Sequence, residues 1–225
     1  MKNLLLVIIL ILTFSSYSFP QSVKVSKYKL KLNLSVLYPT GDEEFSTYNT
    51  FSPGGQAEFE YSVSKKVGIF SGVNMDVIFP TLFTYYGIWG KSDVYPSLQI
   101  SGILGSRFYP SMKNNFFLEG GLGLFDLKPG KYLIYGETFG LEESVKYNSI
   151  LQTGFLTGTG WETNIGKNSF LSFNARFYIL LKRTNVARQF TSTSLTSNHS
   201  YTYDYVADVP SRKYLQLTIG YGLRF

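Results

Sequence analysis

The segment 213–225 alternates strictly between apolar side chains and small or polar ones. The apolar positions are Leu215, Leu217, Ile219, Tyr221, Leu223 and Phe225. The positions between them are Gln216, Thr218, Gly220, Gly222 and Arg224. Side chains of a β-strand point alternately to opposite faces, so all the apolar groups fall on one face. This pattern is typical of a strand in a lipid-embedded barrel, apolar toward the acyl chains and polar toward the lumen.

Seven further segments show the same alternation, without convincing helical periodicity. We predict them at residues 27–38, 56–63, 67–79, 97–108, 116–127, 149–162 and 169–181. The connections after the second, fourth and sixth segments are short, whereas the others are long. Outer-membrane barrels have short periplasmic turns and long extracellular loops. The fold class expected is therefore all-β, an eight-stranded antiparallel transmembrane β-barrel with both termini periplasmic.

The composition suits such a wall, with 17% aromatic and only 16% charged residues, and no cysteine. The main alternative is a soluble eight-stranded barrel of lipocalin type, with an apolar interior. Beyond the first two segments, however, the non-apolar face is mostly Gly, Ser, Thr and Asn, which favours the membrane barrel. The net charge of +6 comes from dispersed Lys and Arg. It therefore does not predict a nucleic-acid partner.

The N-terminal residues have the order of a secretory signal peptide. Lys2 precedes an apolar run from Leu4 to Phe14, and small polar residues follow up to Ser18. The apolar run is too short to span a bilayer. We therefore predict a signal peptide at residues 1–18, a barrel domain at 19–225, and a location in the bacterial outer membrane.

Two stretches resemble a known family. The run Leu30-Lys31-Leu32-Asn33-Leu34-Ser35 is similar to its opening strand. The runs 52–56 (SPGGQ) and 60–69 (EYSVSKKVGI), followed by Gly72-Val73, are similar to its first hairpin. The family is the PorT-like outer-membrane β-barrel family of Bacteroidetes. The resemblance implies an eight-stranded barrel over the whole mature chain, and its founding member assists a secretion system for gliding and surface proteins.

The closing segment also resembles the C-terminal strand that the barrel assembly machinery recognises during insertion. Tyr221, Leu223 and Phe225 are the residues that carry this resemblance. It implies the assembly machinery and outer-membrane lipids as partners.

Charged residues of both signs lie on the faces predicted to line the lumen. They are Lys29, Lys31, Glu58, Glu60, Asp76, Arg107, Glu119, Arg176 and Arg224. Neighbouring segments carry opposite charges, with Lys31 beside Glu58 or Glu60 and Arg107 beside Glu119. A buried charge needs a partner or water, because desolvation costs several kcal/mol per ion. We expect a lumenal ion-pair network that plugs the barrel; the alternative is a gated ion path.

The chain offers little for catalysis. Its one histidine, His199, lies in the longest connection near several serines and Asp204. Such a Ser- and Thr-rich loop supplies little of the preorganisation that catalysis needs. We predict no catalytic, cofactor-binding or metal-binding residue, so a lipid-modifying enzyme is the less favoured interpretation.

Aromatic residues are concentrated in two of the long connections. They are Phe83, Tyr85, Tyr86 and Trp89 in one, and Tyr201, Tyr203 and Tyr205 in the other. Exposed aromatic patches often mark contact sites, although these residues could instead pack the loops together. We expect a non-enzymatic barrel that binds an envelope partner through its loops, in secretion, assembly or adhesion. The alternative is a small ion or solute channel.

Overall fold

Eight antiparallel strands form a closed barrel in the computed structural model, which describes residues 27–40, 51–80, 84–87, 90–111, 115–135, 141–194, 197 and 199–225. The barrel strands are β1 (Tyr28–Thr40), β2 (Ser52–Ser62), β3 (Val67–Ile78), β6 (Ser97–Phe108), β7 (Phe116–Lys128), β10 (Ile150–Asn164), β11 (Ser169–Leu180) and β14 (Arg212–Arg224). Their order around the ring is β1-β14-β11-β10-β7-β6-β3-β2. The all-β fold and the eight-stranded barrel predicted from the sequence are confirmed. The predicted signal peptide lies outside the described residues.

The alternation of the sequence appears as two faces of the wall. On β1, Leu34 is 73% exposed on the outside, whereas its neighbours Asn33 and Ser35 are buried inside. The same contrast holds on β14, where Ile219 faces out and Thr218 faces in. The outer surface is therefore an apolar belt, whereas the interior holds most of the buried polar groups together with a set of buried apolar rings and aliphatic side chains. Closure of the ring pairs the backbone groups of every barrel strand with a neighbour, as lipid requires.

The short connections all lie at one end of the barrel. Val63 N–H donates to the Val67 carbonyl (2.9 Å) in the turn between β2 and β3. Ile165 N–H donates to the Ser169 carbonyl (3.1 Å) between β10 and β11. The start of β1 and the end of β14 meet at this same end, which we call the turn end; the opposite one is the loop end.

Within the described residues, three of the long connections form hairpins, in segments that the sequence predicted as loops. They are β4 (Thr84–Gly87) with β5 (Gly90–Val94), β8 (Tyr132–Tyr135) with β9 (Leu141–Tyr147), and β12 (Arg183–Ser194) with β13 (Ser200–Val209). The hairpins pair side by side into one six-stranded sheet, in the order β13-β12-β9-β8-β5-β4. We call it the loop sheet. The described part of the chain contains no helix of the length and apolarity needed to cross a bilayer.

Candidate functional site

A buried ionic cluster fills the lumen toward the turn end. Arg176 on β11 contacts Glu58 on β2 (Nη2–Oε2, 2.5 Å) and Glu119 on β7 (Nε–Oε1, 2.5 Å). Arg107 on β6 contacts the same two carboxylates, at 2.5 Å and 2.8 Å. Neither guanidinium has any exposed side-chain surface. The two arginines and two glutamates therefore form a closed ring of charge-assisted contacts, which are the strong class of hydrogen bond.

The second half of this cluster is centred on Glu162 of β10. It contacts Lys31 (2.7 Å), Lys29 (3.0 Å) and Arg224 (3.1 Å). Glu60 joins the two halves, since it contacts both Lys31 and Arg107. Lys29 and Lys31 come from β1 and Arg224 from β14, so Glu162 ties the first and last barrel strands to β10.

Aromatic rings separate and cover the charges. The Arg107 guanidinium lies 4.5 Å from the centre of the Phe70 ring and 4.6 Å from that of Phe117. Arg224 lies 4.3 Å from the centre of Phe170. All three rings are fully buried. Cation–π contacts of this kind gain strength when the site is desolvated.

A neutral layer crosses the lumen nearer the loop end. Gln99 Nε2 donates to Tyr214 Oη (3.0 Å), and Asn74 Nδ2 lies 3.5 Å from Tyr178 Oη. In each case the two strands are four positions apart in the ring of eight, that is, on opposite walls. Tyr178 and Tyr214 also pack against each other, with ring centres 5.1 Å apart. The interior is therefore spanned by side chains, as expected for a barrel of eight strands.

An apolar cluster lies above this layer, at the mouth toward the loop sheet. It consists of Ile78, Leu127, Ile150 and Val209, with Val186 of β12 packed against it. Ile78, Leu127 and Ile150 lie at the loop end of the barrel strands β3, β7 and β10, and Val209 lies at the end of β13, so the cluster forms a floor where the loop sheet joins the barrel. We call it the apolar floor.

The nine residues predicted to line the lumen are all buried inside it. Eight of them belong to the ionic cluster just described. Asp76 lies apart from it: in the described part of the chain its side-chain contacts are to neutral Ser35 (2.9 Å) and Gln216 (3.4 Å). The interpretation of Asp76 as part of an ion-pair network was therefore wrong, because β3 places it one layer closer to the loop end.

Sequence reasoning missed Glu162, which is the hub of half the cluster. Glu162 falls in the same alternating series as Gly158 and Gly160 of the predicted segment 149–162. Its position near the end of a segment concealed it, although the period of two would have identified it. Tyr178 and Tyr214 were also missed, since a buried tyrosine in a lumen gives no distinctive sequence signal.

An aromatic surface lies on one face of the loop sheet. The ring of Phe190 lies 4.9 Å from Tyr203, 5.9 Å from Tyr147 and 6.0 Å from Tyr205. Tyr147 in turn lies 5.7 Å from Tyr132. Cross-strand partners share a face of a sheet, so these rings form one continuous surface over four strands. We call it the aromatic face.

The aromatic loop residues of the sequence analysis divide into two groups. Tyr201, Tyr203 and Tyr205 lie on β13 and belong to the aromatic face, because Tyr201 pairs with Ser192 in the same register. Tyr85 and Tyr86 lie on β4. Phe83 and Trp89 lie outside the described residues.

His199 is exposed between β12 and β13. Asp204, the acid considered as its partner, accepts a hydrogen bond from Gln189 Nε2 (2.9 Å) across the hairpin. Among the described residues no group of three or more His, Cys, Asp or Glu side chains is placed to hold a metal ion.

Comparison with known proteins gives the fold. No protein-family model and no curated protein matches the chain. Ail of Yersinia pestis (15% identity, TM-score 0.44, 89% of this chain and 97% of that one covered) and Neisserial surface protein A (10%, 0.40, 89% and 98%) are similar structures. A major outer membrane protein from Thermus thermophilus is 12% identical, with a TM-score of 0.58 over 88% of this chain and 99% of that one. The similarity to the Thermus thermophilus structure shows that the chain has the fold of an outer-membrane β-barrel.

Proposed function

We propose that this protein is a non-enzymatic outer-membrane barrel that binds a partner through the aromatic face of its loop sheet. The observation that carries this proposal is the exposure of the β13 side of that face, above a lumen crossed by side chains. Tyr201 and Tyr203 are 55% and 52% exposed, even though Tyr203 stacks on Phe190. Large exposed aromatic surfaces on ordered elements are typical of contact sites.

The outer wall supports residence in the outer membrane, with the loop end outside the cell and both termini periplasmic. Leu34, Leu122 and Ile219 represent the belt of apolar side chains that a bilayer would cover. Lipids are therefore the first partner we propose, with the assembly machinery as a transient one. Membership of the PorT-like family, proposed on the two matching stretches, agrees with this placement.

A small channel is the alternative from the sequence, and the contacts inside the barrel disfavour it. An ion would have to pass the apolar floor, the layer in which Gln99 bonds Tyr214, and the ionic cluster in turn. In the cluster, Arg176 bridges strands three positions apart in the ring. Opening such a path would leave charges without partners, at a cost of several kcal/mol each.

An enzymatic role has less support still. Asp204 pairs with Gln189 four strand positions beyond the Ser200–Thr193 pair that adjoins His199, which is too far along β13 for this acid to orient the imidazole as in a catalytic triad. We therefore assign the loop sheet a role in binding.

Site-specific photo-crosslinking in intact cells tests the proposal. A benzophenone amino acid at position 203 keeps an aromatic ring in the face, and the same group at Lys65, in the exposed turn between β2 and β3, is the matched control. We expect a higher-mass adduct from position 203 that is absent from position 65. Unmodified barrel at position 203, or the same adduct from both positions, would contradict a binding role of the loop sheet.

A further inference from the structure

The aromatic face is a row of rings that crosses four strands of the loop sheet. Its members are Tyr132, Tyr147, Phe190, Tyr201, Tyr203 and Tyr205, on strands β8, β9, β12 and β13. Successive contacting rings are 4.9–6.0 Å apart. Phe190 and Tyr203 are stacked, with 20° between their ring planes. A row of this shape offers a repeated contact and suits an extended, repetitive ligand better than a compact one.

The face carries almost no net charge. By register, Arg188 and Glu143 lie beside the rings, one of each sign, and Arg183 pairs with Val209 at the end of the hairpin next to the apolar floor. Arg188 Nε donates to Asn148 Oδ1 (3.2 Å), and Glu143 accepts a hydrogen bond from Ser192. A strongly acidic or basic ligand would therefore find no complementary charge, whereas a neutral ligand would lose no ionic hydration on binding.

The hydrogen-bonding groups of the face are phenol hydroxyls at the edges of the rings. In the described part of the chain no hydrogen bond engages the hydroxyls of Tyr201 and Tyr203, which stay available to a ligand. Tyrosine supplies a large contact area with one polar atom and little loss of conformational entropy. A ligand with apolar C–H faces and hydroxyl edges matches both properties.

The opposite face of the same hairpin is built differently. Three of its cross-strand pairs are polar: Thr191 with Thr202 (3.3 Å), Thr193 with Ser200 (3.0 Å) and Gln189 with Asp204 (2.9 Å). These groups satisfy one another and leave one face suited to water. The hairpin is thus amphipathic, with its aromatic side toward the apolar floor, against which Val186 packs.

We infer that the aromatic face binds a neutral glycan chain, whose sugar rings stack on the tyrosine and phenylalanine rings. Sugar C–H groups carry a small positive charge and pack on the negative face of an aromatic ring, while their hydroxyls reach the phenols. The inference rests on the proposed binding function and names its ligand. Charge complementarity selects a neutral glycan over a nucleic acid, a sulfated glycan or a charged peptide.

Affinity electrophoresis of the purified full-length barrel in mild detergent tests this inference. The native gels contain laminarin, xylan or soluble starch, each a neutral polysaccharide. We expect retardation by at least one of them. Tyr203→Ser should weaken binding about tenfold, as expected for loss of one stacked ring. Val206→Ser is the control, because Val206 is 66% exposed on the opposite face of the same strand.

Phe190→Leu guards against misfolding, since it keeps an apolar side chain of similar volume and removes only the ring. It should also weaken binding, while heat-dependent gel mobility stays that of the folded barrel. Raising NaCl should leave the dissociation constant within about twofold, because no counterions are released when a neutral chain binds.

Three results would overturn the inference. The first is absence of retardation in all three polysaccharides, and the second is binding that Tyr203→Ser and Val206→Ser weaken equally. The third is a preference for heparin, an extended peptide or a second copy of the chain. If crosslinking at position 203 gives a protein adduct and any of these three results is also found, the proposed binding function is retained. Only the assignment of a neutral glycan as the ligand is then contradicted.

Discussion

Gln99 and Tyr214 are joined by a 3.0 Å hydrogen bond across the full width of the barrel. Their strands, β6 and β14, stand on opposite walls. A bond of this kind can form only where the lumen is narrow enough for two side chains to meet. It makes the interior a packed core in which hydrogen-bonded polar groups lie beside buried apolar side chains such as Phe125 and Leu180.

This packing predicts that the barrel does not conduct ions. In a planar lipid bilayer, purified wild-type protein should give no steady nanosiemens conductance, because three layers block the lumen in series. The variant Tyr178→Ala/Tyr214→Ala removes one layer and should also stay closed, since the ionic cluster beneath it is unchanged. Steady channels from the wild-type protein would contradict the plugged lumen.

The ionic cluster predicts a large stability loss for Arg176→Met. The substitution keeps an unbranched side chain but leaves Glu58 and Glu119 with fewer partners. Removing one member of a buried ion pair costs about 3–5 kcal/mol. Urea unfolding in lipid vesicles measures the loss. Lys182→Met is the control, because the Lys182–Asp208 pair (2.9 Å) is exposed, and an exposed ion pair contributes little to stability.

Glu162 predicts a second sensitive position at the turn end. Glu162→Gln keeps the shape but removes the charge shared by Lys29, Lys31 and Arg224, so the free energy of unfolding should fall by about 3 kcal/mol. The outward neighbour Thr163 gives the control: Thr163→Val should change it by less than about 0.5 kcal/mol. Equal effects of the two substitutions would contradict the role of Glu162 as the shared partner of Lys29, Lys31 and Arg224.

The apolar belt predicts that a charge in the wall is costly. Leu34→Arg should destabilise the inserted barrel by about 2–4 kcal/mol, as for arginine near the bilayer midplane. Val206→Arg introduces the same charge at a comparably exposed position on the loop sheet and should be tolerated. Urea unfolding of both variants in vesicles would show the difference, and equal stability would place Leu34 outside the lipid.

Substitution by alanine should have different effects on stability at two glycines of the adjoining strands β6 and β7. A Cβ at Gly121 would collide with the backbone of β6, at the Leu104 carbonyl and Gly105. Gly121→Ala should therefore destabilise the barrel, since backbone cannot yield easily. At Gly102, no neighbour lies within 4 Å of the added atom, so Gly102→Ala should be close to neutral. The thermal unfolding temperatures of the two variants, monitored by heat-dependent gel mobility, measure the difference.

The barrel itself was predictable because its period of two is read directly from the sequence. The same series that puts Leu34 outside puts Lys31 inside, and the observed strand bounds differ from the predicted ones by a few residues. The pairing of Arg176 with Glu58 was not predictable, because it depends on the registers of every strand between β11 and β2. Cross-lumen partners follow from the closed ring and not from any local pattern.

The loop sheet was the larger omission. β4 and β8 have four residues each, too few for an alternation to stand out. β12 and β13 are longer, but one face of this hairpin is polar and includes Thr191 and Thr202. Their sequences therefore resemble those of solvent-exposed loops. The alternation of Tyr201, Tyr203 and Tyr205 was the one visible signal, and it lies in a strand that pairs with β12.

The apolar floor has a consequence for engineering. Ile78, Leu127 and Ile150 of the barrel strands and Val209 of β13 lie between the ionic cluster and the rest of the loop sheet. The β12–β13 hairpin could then be exchanged for a hairpin of different recognition, provided that the replacement keeps the apolar side chains at positions 186 and 209. The barrel would serve as a display scaffold whose interior stays the same when the displayed hairpin is changed.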